Sequence, residues 1–64
     1  MEITLTDTDG IRFTVAVPII KEFHRRGDHT ELTLFFGNKF DVRETPEEIY
    51  KKIMEVKNGG NSDV

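Results

Sequence analysis

The sequence predicts an α+β fold: a small antiparallel β-meander of four or five strands packed against one C-terminal α-helix. Upstream of Thr45, apolar and polar residues alternate, as at Phe13 and Val15, and this period of two is typical of half-buried strands. Downstream, Ile49 and Ile53 recur at helical spacing, which indicates an amphipathic helix. The change of period at Thr45 therefore marks the boundary between sheet and helix.

The start of the helix has the clearest local signal. Thr45 is a good N-cap, and Glu48 lies three residues further on, as a capping box requires. Pro46 suits the first helical position, where a missing N–H has no effect. We expect the helix to end near Lys57, because the sequence 58–60, Asn-Gly-Gly, does not sustain a helix.

Turn residues divide the first half of the chain into strands. The predicted turns are Asp7–Gly10, Gly27–Asp28 and Gly37–Asn38. The predicted strands are residues 2–7, 11–17, 30–36 and 39–43. The segment 19–26 fits either a strand or a helical turn opened by Pro18. We favour a strand that pairs with residues 30–36.

Alternation within residues 30–36 predicts an open face of the sheet. If Leu32, Leu34 and Phe36 face the helix, Thr33 and Phe35 point to the opposite side. One helix covers only one face of a sheet, so the second face would remain free for a partner. Residues of the first hairpin share that face: Thr4, Thr6, Arg12 and Thr14. The alternative is a strongly bent sheet that encloses Phe35 in a barrel-like core.

Length and composition set the broad class. The chain has 64 residues, no cysteine and a net charge of −3, which predicts one domain over residues 1–57 and a polar, disordered tail over residues 58–64. The lack of cysteine excludes disulfides and favours a reducing compartment, the cytoplasm. No apolar run has the length of a membrane span, and no signal-peptide pattern opens the sequence.

No motif indicates catalysis. Asp7 and Asp9 before Gly10 suit a β-turn better than a calcium loop, because position twelve of such a loop is Pro18 rather than glutamate. No nucleophile motif or phosphate-binding glycine loop is present. We therefore expect no enzyme activity, no cofactor, no metal site and no small-molecule substrate.

One basic cluster stands out in an otherwise acidic chain. It consists of Lys21, His24, Arg25 and Arg26. Charged residues at a strand end and turn are commonly solvated and have no further role. The functional interpretation is a contact with phosphate or with an acidic protein surface.

The order of motifs resembles the FlbD-like family of flagellar and swarming-motility proteins. The resemblance covers residues 1–57 and rests on a Leu5-Thr6 strand, Asp9-Gly10, Asp28–Leu34, Gly37–Phe40 and the helix start Val42–Ile49. Residues 24–27, His-Arg-Arg-Gly, and the tail depart from the family pattern. The resemblance implies a cytoplasmic accessory protein that acts through protein contacts, with no catalytic residues.

The leading hypothesis is thus a non-enzymatic interaction or regulatory module with a protein partner, which includes a second copy of itself. The candidate partner-binding residues are Arg12, Thr14, Lys21, His24, Arg25, Arg26, Thr33 and Phe35. The alternative is a nucleic-acid-binding or phage accessory protein, with the basic residues on phosphates and Phe35 stacked on a base. The net charge argues against that alternative.

Overall fold

A computed structural model describes residues 1–59 of the chain. Its elements are β1 (Glu2–Thr6), β2 (Arg12–Ala16), a 3-10 turn (Val17–Ile19), β3 (Ile20–Arg26), β4 (His29–Leu34), β5 (Lys39–Val42) and α1 (Pro46–Gly59). Five antiparallel strands and one C-terminal helix confirm the predicted α+β class. The helix continues two residues beyond the expected end at Lys57. Residues 60–64, the rest of the predicted tail, lie outside the described residues.

The strands form two small sheets rather than one. β1 pairs with β2, and β3, β4 and β5 form a three-stranded sheet in that order. A single bridge between Asp7 and Val42 joins the sheets, and the Arg43 amide donates to the Thr6 carbonyl at 2.8 Å beside it. The fold therefore consists of two small sheets joined at one bridge, with the helix packed mainly against β1 and β3.

Residues 19–26, for which both a strand and a helical turn were considered, form a strand apart from Ile19, which ends the 3-10 turn. Pro18 lies at the start of the 3-10 turn, where its fixed φ is favourable. The chain then becomes strand β3, which pairs with β4 from Arg26↔His29 to Ile20↔Leu34. Gly27 takes a φ of +64° in the intervening two-residue turn, a conformation that glycine adopts without strain. The favoured strand assignment is confirmed.

Seven apolar side chains form the buried core. They are Ile3, Leu5, Val15, Leu32, Leu34, Val42 and Ile49. They come from four strands and the helix, with Leu5, Leu32, Val42 and Ile49 fully inaccessible to solvent. The core confirms the alternation seen in the sequence, since Ile3 and Leu5 point inward while Thr4 between them is exposed.

Two predictions about residues 33–36 are wrong. Phe36 was expected to join Leu32 and Leu34 on the helix side, but β4 ends at Leu34 and Phe36 is 75% exposed. Thr33 was expected on an open face, yet only 7% of it is exposed. Gly37 turns the chain earlier than the alternation suggested, so residues 35 and 36 belong to a turn and no longer alternate between two faces.

The predicted capping box is present at the start of α1. The Thr45 amide donates to Glu48 Oε1 at 2.8 Å, and the Glu48 amide donates to Thr45 Oγ1 at 3.1 Å. These two bonds satisfy amides that the first helical turn leaves unpaired. The cap fixes where the helix begins and so orients Ile49 into the core.

Candidate protein-contact surface

The β4–β5 connection exposes two adjacent aromatic side chains. Phe35 is 65% and Phe36 is 75% exposed. The Gly37 amide donates to the Leu34 carbonyl at 2.9 Å, which closes a four-residue turn with both phenylalanines at its centre. We call residues Leu34–Asn38 the aromatic turn. Central turn positions are usually polar or proline, so this pair is unusual.

The β1–β2 connection provides an internal comparison. The Gly10 amide donates to the Asp7 carbonyl at 3.0 Å, and the Asp7 amide donates to the Ile11 carbonyl at 2.9 Å. The aromatic turn has the same two bonds, from Gly37 to Leu34 and from Leu34 to Asn38. Gly10 and Gly37 also share a positive φ, +89° and +95°.

The two turns differ in the side chains at their central positions. The first turn has Thr8 and Asp9 where the second has Phe35 and Phe36. Because the backbone pattern is the same, the turn itself does not require aromatic residues. The phenylalanines are therefore not explained by local structure.

The backbone of the aromatic turn is held in place on both sides. The Phe35 amide donates to the Ile19 carbonyl at 2.9 Å, and the Leu34 amide donates to the Asn38 carbonyl at 2.9 Å. The first bond ties the turn to the 3-10 segment before β3. The backbone that carries the two rings is thus fixed by two hydrogen bonds.

A shallow apolar cleft lies between the first hairpin and β5. Its volume is about 480 Å³, and its apolar walls are Ile11, Phe13 and Phe40. The rings of Phe13 and Phe40 are 5.8 Å apart between centroids, tilted by 42°, a favourable arrangement for an aromatic pair. Ile11 is 63% and Phe40 is 41% exposed, so the cleft opens the edge of the core to solvent.

The polar rim of this cleft includes both signs of charge. It consists of Asp7, Thr8, Lys39 and Asp41. Lys39 lines the cleft and directly follows Asn38, the last residue of the aromatic turn, so the chain passes from the turn straight into the cleft. An apolar centre with a polar rim is typical of protein-contact surfaces.

The eight residues predicted as partner-binding do not form one site. Arg12 and Thr14 are exposed on β2. Lys21 lies near the start of β3, next to the 3-10 turn whose Ile19 carbonyl accepts from the Phe35 amide. The other basic residues, His24, Arg25 and Arg26, lie at the opposite end of β3. Seven residues of strand span about 20 Å, so Phe35 and the arginines are well separated.

The distal basic residues already have carboxylate partners. Arg25 lies 3.5 Å from Glu47 at the start of the helix, and Arg26 lies 3.5 Å from Glu31 on β4. His24 Nε2 is 3.4 Å from the same Glu31 carboxylate. These exposed pairs are weak, but they show that the cluster is interleaved with acidic groups.

Four residues of this surface were not predicted as surface residues from the sequence: Ile11, Phe13, Phe36 and Phe40. All four were read as members of alternating strands. A signal for Phe36 was available, because Asp7–Gly10 and Leu34–Gly37 have glycine at the same position of the turn. Aligning the two hairpins on their glycines places Phe35 and Phe36 at the turn.

Asp7 has a structural role in the first turn. The Asp7 carboxylate accepts from the amides of Asp9 and Ile11, both at 2.9 Å, which is the β-turn role expected for it. Residues 1–59 contain no group of three or more side chains arranged to hold a metal ion. Across that same range, no helix has the length and apolar character needed to cross a membrane.

Fold and surface together define a small α+β protein with an exposed aromatic turn beside an apolar cleft. A family model described as FlbD, flagellar and swarming motility proteins, matches residues 2–59. The chain belongs to this family, which confirms the resemblance found in its motifs. No curated protein and no solved structure matches the chain significantly.

Proposed function

We propose that this FlbD-family protein is a non-enzymatic accessory module of flagellar or swarming motility that acts through protein contacts. Its contact surface is the aromatic turn together with the adjoining cleft of Ile11, Phe13 and Phe40. The cysteine-free composition suits a role in the cytoplasm. Family membership supports the biological setting, and the exposed surface supports a mode of action through protein contacts.

The observation that supports this proposal most is the exposure of Phe35 and Phe36 on a turn that does not need them. Two phenylalanines, 65% and 75% exposed, keep a large apolar area in water, at about 25 cal/mol per Å². The same backbone turn carries Thr8 and Asp9 in the first hairpin. An exposed aromatic pair that the turn does not require is best explained by a partner that buries it.

The surface favours a protein partner over a small molecule. The cleft is shallow and open, whereas small-molecule sites usually enclose most of their ligand. A projecting turn instead fits into an apolar pocket of another protein, while the cleft receives an apolar side chain from the same partner. The charged rim of Lys39 and Asp41 then orients the contact.

The test uses the first hairpin as a template. The double substitution Phe35→Thr with Phe36→Asp gives the aromatic turn the central residues that the first turn already has. Introduced at the native locus, it should reduce the rate of swarm expansion to that of a deletion strain. An immunoblot should show unchanged protein levels, because the backbone of the turn is preserved.

Tyr50→Thr is the matched control. Tyr50 is an exposed aromatic of similar accessibility, 61%, on the helix, so its loss should leave swarming normal. Normal swarming by the double variant at wild-type protein levels would contradict the proposed contact surface. An equal defect in both variants would show that any exposed aromatic matters, and would also contradict it.

A further inference from the structure

Strand β2 has an outer edge without a strand partner in residues 1–59. In the β1–β2 ladder, the Asp7 amide donates to the Ile11 carbonyl and the Val17 amide donates to the Met1 carbonyl. Antiparallel pairs alternate between bonded and non-bonded positions, so the odd-numbered residues of β2 bond to β1. The backbone groups of Arg12, Thr14 and Ala16 therefore point away from β1, and β2 pairs with no other strand.

The geometry points to a symmetric dimer in which β2 pairs antiparallel with β2 of a second copy, centred on Thr14. Thr14 then lies opposite Thr14 of the second copy, and Arg12 lies opposite Ala16 of the second copy. Every outward backbone group of the strand finds a partner in this register. The two hairpins become one four-stranded sheet in the order β1-β2-β2-β1.

On the exposed face, this register continues a threonine row. Thr4 and Thr14 are already cross-strand neighbours, and both are exposed. The dimer extends that pair into a row of four threonines across the new sheet. Cross-strand Thr–Thr pairs are favourable because their hydroxyl groups can bond to each other.

The same register brings opposite charges together at both ends of the interface. Ala16 pairs with Glu2 on β1, so Arg12 of one copy faces Ala16 and, beyond it, Glu2 of the second copy. Arg12 and Glu2 are both exposed. The small Ala16 side chain leaves room for the long Arg12 side chain to reach that carboxylate, and symmetry gives the contact twice.

On the core face, the dimer joins apolar positions. Phe13 of one copy lies opposite Val15 of the second, and an aromatic side chain next to a β-branched one is a favourable cross-strand pair. Val15 is 6% exposed, and Phe13 is half-buried at the rim of the core. The interface therefore extends the core of a chain that is short for an independent domain.

Strand β3, the other outer edge, is less suited to self-pairing. Lys21, Arg25 and Arg26 are all exposed along it. Basic side chains on an edge strand oppose pairing with another copy. In an antiparallel pair centred on Phe23, Lys21 would face Arg25 of the second copy. β2 carries one charge, Arg12, which faces Ala16 of the second copy, with Glu2 of that copy one strand beyond.

Site-specific cross-linking tests the register directly. The chain has no cysteine, so Thr14→Cys introduces a single thiol at the proposed two-fold axis. Directly bonded cross-strand positions are about 5.5 Å apart between Cα atoms, within the range of a disulfide. Mild oxidation should convert Thr14→Cys to a covalent dimer, whereas Thr8→Cys, another exposed threonine, should remain largely monomeric.

Charge variants test the energetics in sedimentation equilibrium over a range of concentrations. Thr14→Lys places two lysines opposite each other and should raise the dimer Kd by up to about fivefold. Thr8→Lys makes the same change in net charge and should leave the Kd unchanged. Arg12→Glu should weaken the dimer by repulsion from Glu2, and adding Glu2→Arg should restore it.

A wild type that remains monomeric to about 1 mM, a concentration far above that of specific association, would overturn the inference. So would a dimer unaffected by Thr14→Lys and Arg12→Glu, because association would then use another surface. The aromatic turn lies outside this interface, so Phe35→Thr with Phe36→Asp should dimerise as the wild type does. A monomeric wild type would therefore leave the proposed function unaffected. Normal swarming by the turn variant would likewise leave the proposed dimer unaffected.

Discussion

Glu44 joins the first strand to the end of the sheet: its Oε1 accepts a hydrogen bond of 2.9 Å from the amide of Thr6, a residue 38 positions earlier. The Glu44 carbonyl also accepts from Thr30 Oγ1 at 2.6 Å. Glu44 thus bonds to both sheets immediately before the helix begins. Its role is to connect the two halves of the fold.

Replacement of Glu44 with alanine should therefore destabilise the protein. The partly buried Thr6 amide would lose its acceptor, which costs about 1–3 kcal/mol. Glu44→Gln should cost less, since an amide oxygen can still accept. Chemical denaturation gives both values, with Glu55→Ala, an exposed helical position, as the control. Equal stability of Glu44→Ala and Glu55→Ala would show that the bond contributes nothing.

Ile49 should be the most sensitive position of the helix. It is fully buried, while Ile53 and Val56 are only partly buried against the core. Ile49→Ala should reduce the free energy of unfolding by about 2–5 kcal/mol through lost burial and an unfilled cavity. Tyr50→Ala, next to it and exposed, should change stability by less than about 0.5 kcal/mol. Denaturation curves that give the two variants similar midpoints would contradict the observed packing.

The sequence was sufficient for those features that depend on local chemistry. The capping box of Thr45 and Glu48, the turns at Gly10 and Gly27 and the inward alternation of Ile3 and Leu5 are all decided by neighbouring residues. The pairing of β3 with β4 also follows, because a two-residue turn at Gly27–Asp28 permits little else. These elements were predicted correctly.

The remainder has two causes. The end of β4 was misplaced because alternation continues to Phe36, whereas the bond from Gly37 to Leu34 ends the strand two residues earlier. The division into two sheets rests on contacts of Asp7 and Thr6 with residues 42–44, which no local pattern encodes. The pairing of β3 with β4 also separates the two predicted surface features, the basic cluster and Phe35, since Phe35 and Arg26 lie at opposite ends of that hairpin.

The aromatic turn should be replaceable without loss of stability. Phe35→Thr with Phe36→Asp removes two largely exposed rings and leaves the turn bonds intact, so the free energy of unfolding should change by less than about 1 kcal/mol. Thermal and urea denaturation provide the measurement. Leu34→Thr, at a position 7% exposed in the same hairpin, is the destabilising control.

The outcome for the turn variant has a second use. A loss of stability close to that of Leu34→Thr would mean that the phenylalanines belong to the core, which would contradict their exposure in the structure. Unchanged stability would ensure that any defect in motility reflects a lost contact and no unfolding. The same sample should also show improved solubility, because exposed apolar area is reduced.

Nucleic-acid binding is the alternative against which the basic cluster can be tested. Arg25 and Arg26 lie beside Glu47 and Glu31, and the chain carries a net charge of −3. We expect no appreciable binding to single- or double-stranded DNA or RNA at physiological salt. Fluorescence anisotropy at several salt concentrations provides the measurement, because phosphate contacts release counterions and give a steep salt dependence.

Micromolar affinity that weakens with salt and is abolished by Arg25→Glu with Arg26→Glu would favour the nucleic-acid function. The charge-matched variant Lys51→Glu with Lys57→Glu, on the helix, controls for net charge alone.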